Sequence, residues 1–186
     1  MKIITRKIFL GANTPDGYVG FYDQIVDNYD IKKMYILKGG NGTGKSTFIK
    51  NFTSAIIKHH KEQNKSLTVD FIMCSADPSS YDGAILHEPG ISIIDGTHPH
   101  IVDPKYPTII EEIIDLSKFL NPQKLSITKD QLQRFQKRRH KYIKLATQHF
   151  NTARQIHFDV EAKFSNAMDF DALTYTLSSI IKNHTQ

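Results

Sequence analysis

The sequence lacks any pair of cysteines: Cys74 is the only one in 186 residues, so no internal disulfide can form. It also lacks a long apolar run, and nothing approaches the roughly 20 residues that span a bilayer. The opening stretch Met1-Lys2-Ile3-Ile4-Thr5-Arg6-Lys7 has neither an extended apolar core nor a small-residue cleavage site, so no secretory signal is read there. Internal repeats and low-complexity tracts are absent, which excludes solenoid architectures. From Thr128 to Phe164 there is no proline and no glycine, and few aromatic residues lie among that segment's cations. Together these absences lead us to expect a soluble, cytoplasmic chain without a membrane partner.

A hydrophobic share of 39% and a charged share of 23% are those of an ordinary globular protein with a sizeable core. Net charge is a mild +5, but it is unevenly spread. Lys129, Arg134, Lys137, Arg138, Arg139, Lys141 and Lys144 face only one nearby acid, Asp130.

Hydrophobic periodicity predicts an alternation of strands and helices. Short strands are expected over 3–10, 34–37, 67–74 and 91–94, and helices over 18–29 and 46–61. Such alternation argues for an α/β sheet with mostly parallel strands, of three-layer α/β/α type. Its ligand edge would then carry Lys38-Gly39, the stretch from Cys74 to Asp77 and the stretch from Asp95 to His98. A helix is expected over 109–120, stopped by Asn121-Pro122. Beyond it, apolar or small residues at Leu132, Phe135, Tyr142, Ala146, Phe150, Ala153, Ile156 and Val160 predict one helix about 50 Å long. A further helix over 167–182 is expected to fold back on it as a hairpin. The chain thus divides into an α/β core, 1–120, and a helical appendage or lid packed on it, 121–186.

The stretch Gly39-Gly40-Asn41-Gly42-Thr43-Gly44-Lys45-Ser46-Thr47 satisfies G-x-x-x-x-G-K-[ST] between an apolar strand and an amphipathic helix. Its glycines let backbone N–H groups close on phosphate oxygens, and the following helix N-terminus adds donors and a positive dipole end. Lys45 is the residue type that reaches β- and γ-phosphates, Ser46 the one that ligates Mg²⁺, and Thr47 can assist at the α-phosphate. A chance match in this length is about 1%. Mg²⁺ needs a second anchor, and Asp95 after Ile91-Ser92-Ile93-Ile94 stands where a strand-end acid would supply it; the plainer alternative is an Asp opening the turn Asp95-Gly96. Gly96 stands where many ATPases carry a catalytic Glu, so the catalytic base is sought among Asp77, Glu88 and His98. Asp77 serves equally well as a turn cap. His98 and His100 with Asp103 offer only an open ligand set, so loop histidines are the better reading there.

Thr14-Pro15-Asp16-Gly17-Tyr18-Val19, the glycine loop with Leu37-Lys38 before it, Cys74-Ser75-Ala76-Asp77-Pro78 and the run from Asp95 to Pro107 together resemble the blocks of a family of bacterial P-loop ATPases. The resemblance covers nearly the whole chain, and 95–107 is its most distinctive part. Members of that family carry two P-loop halves in tandem, and this chain resembles the N-terminal half. The resemblance implies ATP binding, and a second P-loop half or a homo-oligomer as partner.

Three functions follow as alternatives. The first is an ATP hydrolase with Mg²⁺ in which Lys45, Asp77, Asp95 and His98 act and a basic lid bearing Arg134, Arg138 and Arg139 closes on the γ-phosphate. Taking Leu132 and Phe135 as a buried seam sends Arg134 and Arg138 outward and sets Arg139 on the seam; a solvated cationic face is the plainer account of all three. The second is a small-molecule or nucleotide kinase, with an acceptor near Asp77, Asp82 and His98. The third is a module in which ATP gates the binding of nucleic acid or protein through the basic helix.

Overall fold

The structure, a computed structural model, describes residues 2–185; Met1 and Gln186, the outer ends of the two expected segments, lie outside the described residues. In chain order, strand β1 (Ile3–Ile8) leads to a two-stranded hairpin of β2 (Gly11–Thr14) and β3 (Gly17–Gly20). A 3₁₀ turn and the one-turn helix α1 (Ile25–Asn28) follow. Then come β4 (Lys33–Lys38), α2 (Lys45–Glu62), β5 (Leu67–Met73), β6 (Tyr81–Leu86), β7 (Ile91–Asp95) and β8 (Glu111–Asp115). The long helix α3 (Lys129–Ser165) and the shorter α4 (Phe170–His184) close the chain.

The chain is α/β, with six strands in the order β1-β5-β6-β7-β4-β8. The sheet is mostly parallel: β1 with β5, and β4 with both β7 and β8. Only β6 runs against its neighbours. Its direction follows from linker length, since residues 74–80 and 87–90 are too short for the crossover of a dozen or more residues that parallel pairing needs. Side chains alternate across the sheet, so Ile36, Ile85 and Ile94 enter one core with Tyr22 and Ile25, while Leu37, Leu86 and Ile93 enter the other with Ile49 of α2.

Several expectations are corrected. Residues 18–29 are not one helix: Gly17 and Gly20 bound a strand, and the helical part shrinks to a 3₁₀ turn and one α turn that insert Tyr22 and Ile25 into the core. The second helical layer of an α/β/α sandwich is correspondingly short. Residues 109–120 are not a helix either. Residues 111–115 form the edge strand β8 in register with Met34–Lys38, and only Leu116–Phe119 make a 3₁₀ turn, capped by Asp115. The pairs Ile109-Ile110, Glu111-Glu112 and Ile113-Ile114 fit both periods, and pairing with β4 decides between them.

The long helix begins at Thr128, whose hydroxyl and Gln131 form a reciprocal capping box. Its 37 residues span about 55 Å. The expected seam is not buried. Neither α3 nor α4 buries any residue, and Phe135 remains 60% exposed, so no hydrophobic hairpin closes between them. Arg154 ties α3 to the hairpin turn, donating to both oxygens of Asp16 at 2.6 and 3.1 Å. No helix among the described residues is long and apolar enough to cross a membrane.

Candidate functional site

The loop from Gly39 to Gly44 joins β4 to α2 at the carboxyl edge of the sheet. It holds Gly39, Gly42 and Gly44 at φ of 145°, 80° and 87°, left-handed conformations that side chains resist. Gly44 is the N-cap of α2, so Lys45, Ser46 and Thr47 open the helix where backbone N–H groups have no intrahelical acceptor. Thr43 Oγ1 donates to the Gly40 carbonyl at 2.8 Å and braces the turn, while Asn41 is exposed at its tip.

Lys45 lies back across this loop. Its Nζ donates to the carbonyls of Gly39 and Gly40 at 2.9 and 3.0 Å and stands 3.6 Å from Asp95 Oδ2. Asp95 is brought there by the parallel register of β7 with β4, which sets it opposite Leu37. Its Oδ1 accepts from Thr97 N and Oγ1, so Asp95 does open a turn as well as face the lysine. Ser46 Oγ accepts the backbone N–H of Tyr81 at 3.0 Å, tying α2 to the start of β6.

Two buried side chains complete this edge, Asp82 and His100. Because β6 is antiparallel, its first residues reach the edge where β4 and β7 end. The register shifts between Ile72 and Met73: Ile72 pairs with Gly83 and Met73 with Tyr81, leaving Asp82 as the extra residue of a bulge. Asp82 accepts from the Tyr22 hydroxyl at 3.2 Å, and its Oδ2 lies 3.4 Å from His100 Nε2. The other ring nitrogen of His100, Nδ1, donates to the Asp95 carbonyl at 2.7 Å. Burial works to lower the pKa of His100, but the bond and charge of Asp82, with Asp95 behind it, outweigh burial and hold it above the ordinary value. Tyr18 and Tyr22 pack against the ring, and burial pushes both phenols up. Lys38 pins the loop that carries His100, donating to Gly96 O and Val102 O at 2.8 Å each.

The remaining candidates are scattered. Asp77 is exposed and spends Oδ1 on Ser79 N and Oγ, bonds that hold its carboxyl below the usual range. Glu88 accepts from Thr68 N and Oγ1 at the opposite end of the sheet, which removes it from the ligand edge. His98 is exposed and Asp103 points away beside Lys38, so neither joins His100. Arg134, Arg138 and Arg139 are exposed on α3, and among the described residues no ion pair or hydrogen bond joins them to the loop. His100 was visible in sequence only as one of two loop histidines, and Asp82 only as part of an acceptor pocket. A bulge and a pinned loop bring them together, and neither leaves a local signature. No family model matches the chain, and neither the curated proteins nor the solved structures provide a match.

Proposed function

We propose that this chain is a P-loop NTPase of the cytoplasm that binds Mg-ATP and hydrolyses it slowly, in the manner of the N-terminal half of the tandem ATPases that its sequence blocks resemble. The observation that carries the reading is the meeting of the glycine loop, Lys45 and Asp95 at one sheet edge, with Lys45 Nζ 3.6 Å from Asp95. The ammonium rests on two loop carbonyls, acceptors that an incoming phosphate replaces, and the helix N-terminus supplies further N–H donors. Ser46 and Asp95 fit Mg²⁺ as hard oxygen donors: Ser46 Oγ takes one N–H and keeps a second lone pair, and Asp95 keeps Oδ2 free of hydrogen bonds. Held by Ser46 and Asp95, Mg²⁺ would supply charge neutralisation to the nucleotide's phosphates. Lys45 orients the transferring group, and Asp95 holds the loop through Thr97. Slow turnover follows from Gly96 beside Asp95 and from Asp77 being occupied by Ser79. Movement of α3 would bring Arg134, Arg138 and Arg139 in as a lid.

Phosphate release from Mg-ATP by the purified chain tests this reading. Release that disappears in Lys45→Ala supports it. Release equal to the mutant's counts against hydrolysis, and ADP formed without free phosphate when an acceptor is added would instead indicate a kinase. The exposure of Phe135 and Tyr142 on the apolar stripe of α3 favours one second reading, nucleotide-gated contact of α3 with a partner protein. Partner capture that is identical with and without ATP would exclude such gating.

A further inference from the structure

We propose that Asp82, Asp95 and His100 form a binding site for a first-row transition-metal dication of the Mn²⁺ to Zn²⁺ class, with Asp82 and His100 as ligands that the magnesium site of the nucleotide does not use.

Their ligand atoms all lie within 4.8 Å of one another, close enough for small side-chain rotations to bring all three onto one ion. The side chains of Asp82 and His100 are 8% and 7% exposed, and that of Asp95 is 14% exposed. Two carboxylates this close and this buried are stabilised by a cation between them. Lys45 reaches Asp95, and no Lys or Arg is paired with Asp82 among the described residues.

The orientation of His100 is the second, independent observation. Nδ1 can only donate to a carbonyl, so the bond to Asp95 O at 2.7 Å fixes the proton there and turns Nε2 toward Asp82. A metal-bound histidine is held in this way, with its distal N–H on a backbone carbonyl and the opposite nitrogen free for the ion. The Tyr22 hydroxyl supports Asp82 in the same outer role. Two carboxylates balance the charge of a dication, and the imidazole selects against Mg²⁺ and Ca²⁺. Three protein ligands leave a position open, and a cleft of about 160 Å³ lined by Tyr18, Tyr22 and His100 reaches the histidine of the set.

The site shares Asp95 with the proposed nucleotide site but does not rest on that reading, because the metal alone is the probe. Calorimetric titration of the chelator-stripped chain with Zn²⁺, and separately with Mg²⁺, tests it. We expect one equivalent of Zn²⁺ to bind at least a hundredfold more tightly than Mg²⁺. Affinity should fall at least tenfold in His100→Ala and in Asp82→Asn, while Lys45→Ala, which removes a cation from beside Asp95, should bind Zn²⁺ no more weakly than the parent. Zn²⁺ no tighter than Mg²⁺ would overturn the site, as would undiminished binding in both variants. Where a variant at these buried positions loses the fold, the intact chain gives the second reading. Substoichiometric Mn²⁺ should broaden the imidazole resonances of His100 before those of His59, His60 and His98, and surface histidines broadening first would defeat the proposal. Loss of ATP binding with Zn²⁺ binding intact would reject the nucleotide reading alone.

Discussion

Lys45 and Asp95 show how much of the site is local and how much is not. Lys45 is fixed by an eight-residue pattern that any reader of the sequence can find, because backbone turn, helix start and cation are contiguous. Asp95 is legible one step less directly, as an acid ending an apolar run. Asp82 and His100 were hardly legible, since one depends on an extra residue in a strand and the other on a loop pinned by Lys38. In the proposed site Asp95→Asn keeps the bonds that open the turn and removes the charge that faces Lys45 and Mg²⁺. Its expected result is a magnesium dependence of ATP binding shifted at least severalfold to higher concentration. A superimposable magnesium titration would take Asp95 out of the metal role.

Strands and helices were legible where one period dominated and illegible where tertiary pairing chose between two. The strand β4 and helix α2 follow from their patterns, as does α3 with its capping box. The edge strand β8 does not, because Glu111 is buried only through the bonds it accepts from Lys105 and Tyr106 N–H, contacts that no local pattern foretells. Strand β6 was not expected at all, since Gly83 interrupts its apolar run. That glycine is needed for packing: an added Cβ would stand 2.8 Å from the Ile93 carbonyl and 2.9 Å from Ile72 Cδ1. Gly83→Ala should therefore cost about 1–3 kcal/mol through forced overpacking, read from the urea midpoint. An unchanged midpoint would mean that β6 shifts freely. Thr128→Ala should cost about 1 kcal/mol of local stability by removing the cap of α3. Hydrogen exchange in the first turn of α3 is the readout, and equal protection in both proteins would contradict the cap's role.

The whole molecule combines a sheet buried at its centre with two helices in which no described residue is buried. Exposed apolar surface on this scale marks an interaction face. A second copy of the chain carries the same stripe, and we propose it as the complement. We therefore expect light scattering to show concentration-dependent association that resists salt, because apolar contact is not screened, and that is lost in Phe135→Asp. A monomer at all concentrations, or association that salt abolishes, would contradict this expectation. The central claim concerns the loop at the sheet edge, and nucleotide-linked melting tests it most directly. A ligand that binds only the folded chain, at a hundred times its Kd, adds about 2.7 kcal/mol, which for a chain of this size is roughly 5–10 °C in Tm. The account predicts a magnesium-dependent rise of that order with ATP in the parent chain and none in Lys45→Ala. A flat response at saturating nucleotide, or an equal rise in the variant, would contradict it.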